Sequence, residues 1–172
     1  MRGSVKITRG RLLSELVLVG RVFSKKNSRQ LGIKYMPGRG GKKRPVPTSW
    51  PSKAYLAALP VFVGQIGEQR AIEDKFYLPL YVEACVYDWS ETWLKRFLEG
   101  ESLPPEPKGV DIDNRSNSLF DVMKAANHIV DDVIIMRLNI EKYPGLKLPG
   151  HDEFGAVVKV YEATGLEKIY GN

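Results

Sequence analysis

A chain of 172 residues, 43% hydrophobic and 27% charged, is expected to fold as one globular domain over residues 1–172. No apolar run approaches the roughly 18 residues a membrane span needs, and "LLSELVLVG" is broken by Ser14 and Glu15, which argues against a secretory signal. One cysteine and two histidines exclude a disulfide framework and an ordinary structural zinc site, and they fit a protein of the reducing cytoplasm.

The net charge of +6 is unevenly distributed. Residues 1–53 carry 14 Lys and Arg against the single acid Glu15, whereas residues 54–172 carry 12 basic against 19 acidic residues. Such asymmetry points to a polyanion-binding N-terminal segment beside an acidic site.

In chain order, "SELVLVGRVF" (14–23) is rich in β-formers and predicts a strand. Residues 24–50 are dense in Gly, Pro, Lys and Arg and predict a long basic loop. Ser52 is placed to cap a helix over "KAYLAAL", which Pro60 and Gly64 are expected to kink or end. Strict alternation in "PLYVEACVYDW" (79–89) predicts the clearest strand, with Cys85 as a buried core thiol. "SETWLKRFLEG" predicts a short helix between Ser90 and Gly100, followed by a Pro-rich connector. Helical spacing of Leu119, Met123 and Ala126 predicts a helix over 118–129, capped by Asn114 or Asn117. "DVIIMRLNIEKY" and "GAVVKVYEA" predict two further strands. The expected fold is a small α+β domain, with helices on one face of a mixed sheet.

Residues 109–132 gather Asp111, Asp113, Asp121, Asp131 and Asp132 in this basic chain. In an extended segment Asp111 and Asp113 would share a face, and Asp132 follows the helix at the start of the next strand. Converging carboxylates repel one another unless a cation joins them. A hard divalent cation with oxygen ligands does this, and beside a basic groove it suits metal-assisted phosphodiester hydrolysis. Each aspartate also has a plainer role. Asp113 or Asn114 could cap a helix, Asp121 could be a solvated helix residue, and Asp131–Asp132 could form a turn. An EF-hand is excluded, because Arg115, Ser116 and Val122 occupy positions that need a ligand, Gly and Glu.

The pattern "DIDN", then Asp121 eight residues after Asp113, then "VDD" ending nineteen residues after Asp113, resembles the RusA-like Holliday junction resolvases. The likeness spans about 14–163 and includes "SKKNSR", "PSKAY" and "PLYVEACVY" in the family's order. The family is encoded largely by phages and prophages, so the implied setting is a bacterial cytoplasm. The resemblance implies a homodimeric endonuclease that uses Mg²⁺, or Mn²⁺ in its place. Such an enzyme binds four-way DNA junctions and cuts two opposing strands symmetrically. The family's essential carboxylates correspond to Asp111, Asp113 and Asp132, with Asp131 as a further metal ligand and Asp121 within the helix. Asn117 stands where the family usually has a lysine, and Lys124 or Arg115 are candidates to replace it. Asn114, Asn117, Asp121 and Lys124 would surround the ligands. Lys25, Lys26, Asn27 and Arg29, with Arg39, Lys42, Lys43 and Arg44, would contact DNA phosphates. Tyr35 and Trp50 would either stack on exposed bases or join the core. The insert 89–108, with Trp89, Trp93 and Phe97, is longer than in the smallest members and is expected mainly to pack. Alternative functions are a broader branched-DNA or flap nuclease, and a catalytically weakened junction-binding module.

Overall fold

The computed structural model describes residues 6–22, 29–51, 53–70, 75–88, 98–100 and 112–165. Six strands and two helices lie within them: β1 (Thr8–Val19), β2 (Arg29–Pro37), β3 (Lys43–Pro51), α1 (Lys53–Gln69), β4 (Leu80–Asp88), α2 (Ile112–Ala125), β5 (Ile135–Pro144) and β6 (Gly155–Thr164). The fold is α+β. The expected short helix at 90–100 and the connector after it lie outside the described residues, apart from 98–100.

The main sheet has the order β1-β6-β4-β5. β4 pairs parallel with β5, and the other pairs are antiparallel. A parallel pair needs a long crossover, and α2 lies within it. The alternation read from β4 and β6 has a direct counterpart in burial. Leu80, Val82, Ala84 and Val86 point inward with Ala156, Val158 and Val160, joined by Leu16 and Leu18 of β1. These pack against Phe62 and Ile66 of α1 and Leu119, Phe120, Val122 and Met123 of α2. The opposite sheet face carries Glu83, Cys85, Tyr87 and Lys159, all half-buried. Cys85 is therefore not the core thiol expected, because its odd register position turns it away from the helices.

α1 runs unbroken through Pro60. The carbonyl that Pro60 leaves without an N–H donor belongs to Leu56, which is 51% exposed, so water can satisfy it. Two glutamines of α1 then shield the free edge of β1. The Gln65 side-chain amide exchanges two hydrogen bonds with Val19, accepting from its N–H and donating to its C=O, both at 2.9 Å. Gln69 does the same with Val17, both at 2.7 Å. Four residues of helix rise about 6 Å and two residues of strand about 6.7 Å, so the spacings match. The edge is blunted without a further strand.

The basic segment departs most from expectation. Its described part is a β-hairpin, β2 with β3, turning through a 3-10 turn at Arg39–Gly41. Prolines argued for a loop, yet Pro37, Pro45, Pro47 and Pro51 all fall in one class of cross-strand pair. The alternate class includes Gly38 and Lys42, where the Gly38 N–H donates to the Lys42 carbonyl at 2.9 Å. Antiparallel pairs alternate between hydrogen-bonded and non-bonded, so all four prolines occupy positions that need no N–H.

Candidate active site

α2 begins at Ile112, earlier than expected, so Asp113, Asn114 and Asn117 lie within it rather than before it. The extended segment presumed for Asp111 and Asp113 does not hold for Asp113. Asp111 lies outside the described residues, as do Lys25, Lys26 and Asn27, and so do the side chains of Asp113, Asn114, Arg29, Arg39 and Trp50. The helix also ends before 129. Asn127 adopts φ 56°, its N–H donates to the Lys124 carbonyl at 3.0 Å, and the His128 N–H donates to the Met123 carbonyl at 2.9 Å. Those are the two bonds of a Schellman motif, closed by one of the few non-glycine residues that tolerate the left-handed region.

The chain after this stop is pinned. Phe76 N–H donates to the His128 carbonyl, and Val130 N–H donates to the Phe76 carbonyl, forming a parallel bridge with Ile129. Asp131 follows, and its carboxylate accepts from Val133 N–H at 3.4 Å, capping a 3-10 turn over Asp132–Ile134. Asp132 thus sits in this turn, immediately before β5.

These constraints bring the acidic side chains of two segments around one cation. Lys124 Nζ lies 3.4 Å from Asp132 Oδ1, 3.8 Å from Asp121 Oδ1 and 4.0 Å from Asp131 Oδ1. All four groups keep contact with solvent. The Asp131 carboxyl is held below its usual range, chiefly by a hydrogen bond with the Asp132 side chain and then by Val133 N–H and Lys124. Asn117 is exposed one helical turn before Asp121, so Asn117, Asp121 and Lys124 form a stripe. In backbone register Asp113 heads it.

Tyr55 of α1 escaped the sequence reading. Its buried phenol is pushed up to about 12, first by burial and then by Asp121, with which it shares a hydrogen bond. Protonated at all ordinary pH, it donates to Asp121 and ties α1 to the site. Only its place in "PSKAY" gave any signal.

Asp88, at the end of β4, was also missed. It is 1% exposed and pairs with Arg115 at 3.5 Å and Lys142 at 3.9 Å. Arg115, equally buried, also donates to the Val22 carbonyl. Burial pulls its guanidinium below the ordinary value while Asp88 opposes the shift. Arg115 is therefore a fastener that fixes the start of α2 to the end of β4. Of the two basic residues read from the sequence as candidates for the site, Lys124 alone stands among the carboxylates.

Among the described residues, no group of three His, Cys, Asp or Glu side chains is disposed to hold a metal by itself. The donor chemistry nevertheless suits a hard divalent cation. Carboxylate oxygens already converge on a positive charge in a solvent-open position. Lys42, Lys43 and Arg44 are exposed on the hairpin. No helix among the described residues is long and apolar enough to cross a membrane. No protein-family profile matches the chain, and no curated protein matches it.

Proposed function

We propose that this protein is a Mg²⁺-dependent endonuclease of the RusA-like kind that acts on four-way DNA junctions as a homodimer. The observation that carries the reading is the convergence of Asp121, Asp131 and Asp132 on Lys124, on the helix whose first turn bears Asp113. Asp111, Asp113 and Asp132, with Asp131, would hold the metal. When bound, Mg²⁺ supplies Lewis acidity for activating water and countercharge for the phosphate. Mn²⁺ has the same ligand preference.

The chain's own residues do the remaining work. Tyr55 holds the Asp121 carboxylate in place, and Asp121 in turn holds Lys124. Lys124 keeps three carboxylates together and presents an ammonium group where a scissile phosphate would lie, the duty the family assigns to its lysine. The Arg115–Asp88 pair sets the helix start. Lys42, Lys43 and Arg44 supply phosphate contacts from the exposed hairpin. Two copies would match the two-fold symmetry of a junction.

A second reading keeps one specific observation in its favour. Asn117 is exposed and uncharged at the family's lysine position, which suits a junction-binding module with weakened catalysis. One experiment separates the two. The purified protein is incubated with a labelled synthetic four-way junction, flap or linear duplex, in Mg²⁺, Mn²⁺ or EDTA. Paired symmetric nicks in the junction alone, lost in EDTA, support the endonuclease. Tight junction binding without cutting in either metal supports the binding module. Equal cutting of junctions and flaps would support a broader branched-DNA nuclease.

A further inference from the structure

The hairpin β2–β3 forms a sheet of its own. Directly opposed residues of an antiparallel pair share a face. Its register pairs Ile33 with Pro47 and Tyr35 with Pro45, which makes the middle of one face apolar, with Lys43 opposite Pro37 at the turn end of the same face. The alternate pairs, Lys34 with Val46 and Met36 with Arg44, mix basic and apolar side chains on the other face, and Lys42 stands at the turn. Ile33 is 64% exposed and Tyr35 62% exposed. Two large apolar side chains two residues apart on one strand therefore face solvent. Such a patch marks a binding surface.

The charge of the ribbon limits what can cover it. No acidic residue occurs between Glu15 and Glu68. Lys34, Lys42, Lys43 and Arg44 are exposed, and among the described residues none of them forms an ion pair. A second copy of the same hairpin would set like charge against like charge. The occupant must instead present flat apolar surface and negative charge within the thickness of one ribbon. Nucleobases attached to their phosphate backbone do this. Bases inside a linear duplex are stacked on each other and offer no free face, whereas bases at a branch point do.

We infer that the Ile33–Tyr35 face of the hairpin is a stacking platform for unstacked bases at the branch point, with the basic side chains of the ribbon gripping the adjoining backbone. The inference rests on the proposed DNA function and deepens it. Ile33 and Tyr35 select branched over linear DNA, and Lys34, Lys42 and Arg44 bind both alike.

The test uses the full chain and the variant Ile33→Ser/Tyr35→Ala. Both positions are exposed, so folding is retained, as checked by circular dichroism. Affinities are measured for a synthetic four-way junction with 2-aminopurine beside the crossover and for a linear duplex of the same arms. The expected result is about a tenfold loss of junction affinity in the variant, with duplex affinity and its salt slope unchanged. Quenching of 2-aminopurine by the wild type should vanish. An unchanged junction preference in the variant, where the wild type still binds and cuts the junction, overturns the platform and leaves the endonuclease standing. Conversion of a wild-type dimer to a monomer by the variant, with junction preference intact, assigns the face to a second copy and overturns it too. A wild type that neither prefers nor cuts junctions refutes the function and the platform together.

Discussion

Replacing Arg115 by Met tests how the start of α2 is held. Arg115 and Asp88 are each 1% exposed and 3.5 Å apart. Methionine roughly fills the space but strands the Asp88 carboxylate in a low-dielectric site. Breaking a buried pair from one side costs about 3–5 kcal/mol. Lys142, 3.9 Å from the same oxygen, offsets part of this and places the expectation near the lower bound, about 3 kcal/mol. With a urea m-value of about 2 kcal/mol/M, the midpoint should fall by about 1.5 M. Thermal unfolding should shift down by about 6–12 °C for a chain of this size. Adding Asp88→Asn removes the stranded charge, so the double variant should regain much of the loss, which a double-mutant cycle reads directly. A single-variant loss below about 1 kcal/mol at unchanged m would refute the fastening role.

The remaining predictions concern the site and the response to pH and salt. Asp113→Asn and Asp132→Asn should each reduce junction cleavage by about 100-fold or more while junction affinity stays within about twofold, as read by gel assays of cutting and binding. Lys124→Met should lower cleavage by about 100-fold, and retention of wild-type rate would remove Lys124 from the chemistry. Replacing Lys42, Lys43 and Arg44 by Gln should flatten the dependence of log affinity on log salt by about 2.7, from a slope of −0.9 per phosphate contact. His128 is 3% exposed, both ring nitrogens lack a hydrogen-bond partner among the described residues, and burial followed by Arg70 lowers its pKa to about 4. The unfolded chain therefore binds the extra proton first. Its stabilising share is present above about 6.5 and is lost as pH falls towards 4, by roughly 3 kcal/mol. His128→Leu should make urea midpoints measurably less sensitive between pH 7 and 4.5.

β4, β6 and the body of α2 were legible because burial on one face leaves a period in the sequence, two for strands and 3.6 for helices. Asn127 likewise carries a local signal, since few residues end a helix in the left-handed region. The hairpin was not legible, because proline count speaks for a loop and only proline register speaks for an edge strand. The start of α2 was misplaced for a related reason. Asn114 and Asn117 are good caps in isolation, but the Arg115–Asp88 pair draws their segment into the helix.

The site divides along the same line. Its acidic residue types and their spacing stand in the sequence, because ligand chemistry depends on what a residue is. Which groups meet depends on contacts between segments distant in the chain, and these leave no local trace. Tyr55 reaches Asp121 across 66 positions, Asp88 buries Arg115 across 27, and Gln65 and Gln69 match the edge of β1 through geometry alone. Composition and pattern determined an α+β domain with a basic arm and a carboxylate cluster. Tertiary packing decided that Arg115 is a structural fastener and Lys124 the cation at the site, because two cations on one helix differ only in the face each turns to the core.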